Sequence, residues 1–176
     1  MKGYREITAG RKPFKKAYVA VMLWVVGRAI QAAGRVDKSV KAEFDTLPDG
    51  FSFSLGVEPA GPYMIVGKNA KGYPKYGGWK PGGTRIDLKI RIKNIEAAML
   101  LFSFRESTAV ATARNRLIVD GDVPSACAVI RMLDIVEVYL LPRMIAKLAV
   151  KRYPDWTPWR KYMGRVRIYF RALLGY

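Results

Sequence analysis

The sequence predicts an α+β fold, and three observations carry that prediction. Residues 51–58 and 85–93 alternate apolar with polar, residues 95–104 and 123–141 are apolar almost all round, and Asp120-Gly121-Asp122 joins a short strand to the second of these helices. A period of two buries one face of a sheet strand, whereas a helix with so narrow a polar stripe needs cover on most sides.

At 176 residues, 51% hydrophobic and 26% charged, the chain is long and apolar enough for one domain with a sizeable core. Its 31 Lys and Arg against 14 Asp and Glu give a formal charge of +17, so an anionic partner is expected, and nucleic acid and anionic lipid both qualify. Histidine is absent. That excludes Ser-His-Asp and Cys-His catalysis and His-ligated metal sites, and removes the usual proton carrier near neutral pH. The expectation is a protein that is not an enzyme and has no cofactor, no catalytic residue and no metal site. Cys127 alone permits no intrachain disulfide, and a reducing cytoplasm is the expected setting, with peripheral membrane association.

Residues 1–34 read as a basic leader, with Arg11, Lys12, Lys15 and Lys16, and then a helix through the apolar run from Ala17 to Val26. That run falls short of the roughly 20 residues that cross a bilayer. A secretory signal or anchor is the alternative; a buried or membrane-resting helix to about Ala33, stopped by Gly34, is the prediction. A polar connection from Arg35 to Gly50 leads to the first strand, where Phe51, Phe53, Leu55 and Val57 share a face. Glu58 to Pro62 breaks the chain and Tyr63 to Val66 resumes it as a partner strand. The Gly-rich segment from Gly67 to Gly83 predicts a long mobile loop.

Ile86, Leu88, Ile90 and Ile92 then lie on one strand face, with Arg85, Asp87, Lys89, Arg91 and Lys93 on the other. Asn94 can cap the helix from Ile95 to about Phe104 by accepting from a free amide of its first turn. A short helix within Ser107 to Asn115 precedes a strand at Arg116 to Val119. Asp122 caps the helix from Val123 to Leu141, in whose first turn Pro124 is tolerated. Pro142 kinks or restarts that helix toward Tyr153.

Two carboxylates as close as Asp120 and Asp122 can hold a cation or act as acid and base, but turn and cap duty accounts for both. Asp134 and Glu137 beside Arg131 read as an ion-paired helix edge, and Cys127 as core.

The order of a leading helix, antiparallel strands, Ile86-Asp87-Leu88-Lys89-Ile90-Arg91-Ile92, a helix opened by Asn94, and Leu117-Ile118-Val119-Asp120-Gly121-Asp122 before a long apolar helix resembles the sterol carrier protein type 2 family over about residues 40–141. The resemblance implies a five-stranded, mostly antiparallel sheet covered by helices, with an apolar tunnel between the layers. It implies binding or transfer of a sterol, a fatty acyl lipid or an isoprenoid quinone precursor. Residues 35–153 would be the sterol-carrier-like domain and 154–176 a basic aromatic extension; the end Leu174-Gly175-Tyr176 departs from the peroxisomal address of some members.

Apart from the resemblance, the two apolar helices have more greasy circumference than one sheet contact hides, which a ligand cavity would absorb. The expected walls are Met99, Leu100, Phe102, Phe104, Val129, Met132, Leu133, Val136 and Leu140. In the tail, Tyr162, Met163, Val166, Tyr169, Phe170, Leu173 and Leu174 share a helical face, after Trp156 and Trp159 and with Arg160, Arg167 and Arg171 largely elsewhere. Rings and cations in that arrangement suit docking in an anionic headgroup layer; packing on the protein itself or on a second copy is the alternative, and Arg165 to Phe170 also alternates as a strand would. Oligomeric state is not set by these patterns.

The competing class is a basic nucleic-acid-binding module. Lys71, Lys75 and Lys80 among Tyr73, Tyr76 and Trp79 could grip phosphates and stack bases, although no recognised binding motif is present.

Overall fold

Alternation from Ser52 to Val57 becomes the middle strand of a five-stranded sheet, in the computed structural model that describes residues 12–79, 85–141 and 158–175. In chain order the elements are α1 (Pro13–Val36), α2 (Lys38–Asp45), β1 (Ser52–Val57), β2 (Tyr63–Lys68), β3 (Pro74–Gly78) and β4 (Leu88–Ile92). They continue with α3 (Ile95–Phe102), α4 (Thr108–Ala113), β5 (Leu117–Asp120), α5 (Val123–Leu140) and a last helix, α6 (Pro158–Leu174). The sheet order is β3-β2-β1-β4-β5. It is mostly antiparallel, with the single parallel pair β1–β4 placing Leu55 opposite Ile90, and Ile90 in turn opposite Val119 of β5.

One sheet face carries the core. Phe53, Leu55, Met64, Val66, Leu88, Ile90 and Ile92 are buried there, against Ile30 of α1, Phe44 of α2, and Val129, Met132 and Val136 of α5. Ile168 of α6 is fully buried in the same cluster, so the first and last helices share one core with the segment between them. By length and composition α1 could cross a membrane, but 56% of its most apolar window is buried inside the fold.

The caps expected from the sequence form as hydrogen bonds. Asn94 accepts from the amide of Ala97 at 2.9 Å, and Asp122 from that of Ser125 at 2.9 Å. Each satisfies an amide that has no partner within its own helix.

Other expectations are corrected. Gly34 does not stop α1 but lies buried inside it, because a Cβ there would stand 2.2 Å from Cγ of Pro74 in β3. The helix instead ends where Asp37 turns extended and caps α2, an element inside the supposed polar connection whose Val40 and Phe44, four residues apart, are fully buried. The supposed loop after Gly67 contains β3, an edge strand; Lys80 to Thr84 lie outside the described residues. The tail from Pro158 is a helix through Arg165 to Phe170, not a strand. The continuation from Pro142 to Tyr153 also lies outside the described residues. Cys127 is exposed on α5 and not part of the core.

Candidate functional site

The surplus apolar surface lines a partly open cavity of about 200 Å³. The sheet supplies its floor through Leu55, Ile90, Ile92, Leu117 and Val119. Met22, Val25 and Val26 of α1 form one wall, Ile130, Leu133 and Leu140 of α5 another, and Tyr169 of α6 closes part of the remainder. Leu101, Phe102 and Phe104 complete the lining from the end of α3.

That end has an unusual backbone. Phe104 adopts φ +57°, the left-handed region, while the amides of Arg105 and Glu106 both donate to the carbonyl of Leu100. A bulky residue there costs on the order of 1–2 kcal/mol, which the surrounding contacts must offset. The turn brings Phe104 to the cavity and carries the chain inward to Glu106, whose side chain is 4% exposed and which accepts from Arg114 at 3.0 Å and from Arg116. Two guanidinium groups satisfy that buried carboxylate.

A second carboxylate in the lining has no such help. Glu137 of α5 reaches the cavity, and its Oε2 is buried without a hydrogen-bond partner among the described residues. Burial pushes its pKa up to about 7, and the neighbouring Asp134, itself raised by burial, adds to the shift. Both effects disfavour the ionised form. The expected ion-paired edge of α5 is therefore corrected: Arg131 pairs with Glu43 of α2 at 2.8 Å, while Glu137 joins the cavity lining with the part-buried Asp134 beside it.

Of the nine residues expected to line a cavity, Phe102, Phe104, Leu133 and Leu140 do so. Val129, Met132 and Val136 are instead core side chains, while Met99 and Leu100 are half-buried on α3, of which only Ala97 and Ala98 are buried. The walls from α1 and β5, together with Glu137 and Tyr169, escaped sequence reading. The polar position three residues after Asp134, on an otherwise apolar helix, was the available signal for Glu137.

The tail docks through a face that combines the buried Ile168 with small and hydrogen-bonding residues. Gly164 meets the Tyr139 ring, Arg165 donates to the carbonyls of Val138, Tyr139 and Leu141, and Tyr169 donates to that of Leu140 at 2.6 Å. At the helix end Arg28 and Gln31 of α1 donate to the carbonyls of Ala172 and Gly175, at 3.1 and 2.9 Å. No described residue covers the opposite face: Trp159, Tyr162, Val166, Phe170 and Leu173 are each more than 60% exposed, with Arg167 and Arg171 exposed beside them. Trp156 and the side chain of Arg160 lie outside the described part.

Asp120 lies 4.0 Å from Arg91, and Asp122 is the cap already described, its pKa lowered by hydrogen bonds from Ser125. No group of three or more metal-ligating side chains occurs among the described residues. In the basic aromatic segment, Tyr76 packs on the core and Lys41 sits 4.9 Å above the Tyr73 ring, whereas Trp79 is exposed.

No protein-family model and no curated protein matches the chain. Solved structures do. A protein described as UbiJ-SCP2 ubiquinone synthesis protein is 17% identical, with 70% of this chain and 99% of that one covered and a TM-score of 0.44. Sterol carrier protein domain 2 of Helicoverpa armigera is also 17% identical, with 85% and 99% covered and a TM-score of 0.44. Sterol carrier protein 2 of Yarrowia lipolytica is 12% identical, with 66% and 90% covered and a TM-score of 0.45. The chain is thus similar, at low identity and TM-scores below 0.5, to structures of the sterol-carrier type that its sequence resembles.

Proposed function

We propose that this chain binds a hydrophobic small molecule without chemically transforming it, and exchanges it at an anionic membrane surface. The observation that carries the reading is the cavity, whose walls come from sheet and helices alike and are apolar except at Glu106, Ser107, Thr108 and Glu137. At about 200 Å³ it is smaller than the roughly 300–1,000 Å³ of drug-sized sites. It suits a short hydrophobe, or the inserted end of a longer one.

Charge and exposure support the membrane. The chain carries +17, and the uncovered face of α6 combines Trp159, Tyr162, Val166, Phe170 and Leu173 with Arg167 and Arg171. Rings and aliphatic side chains favour the interfacial layer, and cations add attraction to anionic lipid. Val25 and Tyr169, which line the cavity, are sequence neighbours of the exposed Trp24 and Phe170, so the greasy exterior begins beside the cavity.

Native mass spectrometry and organic extraction of the purified full chain test the reading. A hydrophobe retained one-to-one, and lost when Leu133→Trp fills the cavity, is the expected result. A chain that neither retains a hydrophobe nor takes one from vesicles, yet retains RNA until high salt, overturns it.

A further inference from the structure

We propose that Glu137 is the polar contact for the ligand's head and selects a hydrophobe bearing a hydroxyl over one bearing a carboxylate. This rests on the cavity reading above and names the chemistry the cavity prefers. The supporting geometry is a buried Oε2, unpartnered among the described residues, on a side chain that lines an otherwise greasy cavity. A buried polar atom without a partner costs free energy, so a ligand that supplies the missing hydrogen bond gains affinity that a plain hydrocarbon cannot.

A hydroxyl meets that need in either protonation state of Glu137, donating to the carboxylate or accepting from the carboxyl. A carboxylate head only accepts. It can bond to Glu137 only when Glu137 holds a proton, and once Glu137 ionises it meets a like charge, with Asp134 on the same face of α5 adding to the repulsion.

Among the described residues, the arginines at either end of the cavity and on α5 do not reverse this preference, because each is already engaged. Arg114 and Arg116 hold Glu106 at the α4 end of the cavity, Arg131 holds Glu43, and Arg165 donates to the carbonyls at the end of α5. Tyr169 spends its proton on the carbonyl of Leu140.

Calorimetric titration of the full chain with 1-octanol and with octanoate, at about pH 8 and about pH 5.5, tests the assignment. Octanol is expected to bind about tenfold or more tighter than octanoate at the higher pH, a gap that shrinks at the lower pH as Glu137 gains its proton. Glu137→Gln keeps a hydrogen-bonding group without the charge, and should raise octanoate affinity at the higher pH by about fivefold or more while leaving octanol nearly unchanged. Glu137→Leu should weaken octanol by about fivefold, the value of one hydrogen bond. Equal affinities in the unmodified protein, tighter octanoate, or a ratio unmoved by Glu137→Gln overturns the role of Glu137 while leaving the cavity reading in place. Failure of both probes to bind overturns the cavity reading itself, and this one with it.

Discussion

The Tyr139 hydroxyl donates to Oδ2 of Asp37, whose other carboxylate oxygen accepts from the amide of Ser39 at 2.7 Å. Both residues are buried, so one carboxylate ties the end of α5 to the head of α2 while capping the latter. Tyr139 lies two residues beyond Glu137 and beneath Gly164, which places the same contact under the cavity wall and the tail helix. Removing only the donor, by Tyr139→Phe, should lower stability by about 1–2 kcal/mol, because a buried acceptor loses a charge-assisted bond. Urea unfolding at neutral pH measures it.

Gly164 is a packing requirement. A Cβ there would stand 2.6 Å from Cε1 of Tyr139. Alanine favours a helix over glycine by about 1 kcal/mol, so an uncrowded site would gain stability from Gly164→Ala. The ring contact makes the change unfavourable instead, by roughly 1–3 kcal/mol, and Gly164→Val should be worse. In a Tyr139→Leu background, which itself loses the Asp37 bond, each Gly164 substitution should cost less than in the unmodified protein, and thermal melts of the four proteins of each double-mutant cycle read it.

Glu137 should give the ligand-free protein a pH dependence of stability. Its folded pKa is raised from an ordinary carboxylate value of 4.5 to about 7, so the folded state binds the proton more tightly than the unfolded state. The stabilisation is therefore complete below the unfolded value and is lost as pH rises through the folded one. The loss between about pH 4.5 and pH 7 is on the order of 3 kcal/mol for this group. Glu137→Gln should flatten the profile over that window and raise stability above it. Denaturant midpoints measured from acid to mildly alkaline pH provide the check, and an unchanged slope would count against a buried carboxyl.

The exposed row of α6 should be separable from the core. Replacing Trp159, Phe170 and Leu173 with Ser alters side chains that are 65% exposed or more, so the thermal midpoint should move little. Flotation with vesicles containing anionic lipid should fall several-fold. Arg167→Glu with Arg171→Glu should weaken binding more at low salt than at high salt. Truncating the tail would be a poorer experiment, because Ile168 is fully buried and its removal opens the core.

Local chemistry already determined the strands at β1 and β4, the caps at Asn94 and Asp122, and the apolar helix after Asp122. Each depends on residues within a few positions: alternation puts successive side chains on opposite faces, and a cap spans only three residues. Five other features waited for the tertiary structure. Two of them, α2 and β3, have little local pattern and are held by neighbours distant in sequence, through Phe44 in the shared core and pairing with β2. Gly34 and Cys127 changed roles because Pro74 crosses α1 while nothing described covers the cysteine. The fifth was the division of the α5 stripe: Arg131 finds Glu43 across a helix contact, whereas Glu137, fewer than two turns on, belongs to the cavity lining. Periodicity sets which side chains share a face of a helix; what that face meets depends on elements brought together from opposite ends of the chain, and here that decided which carboxylate became part of a candidate binding site.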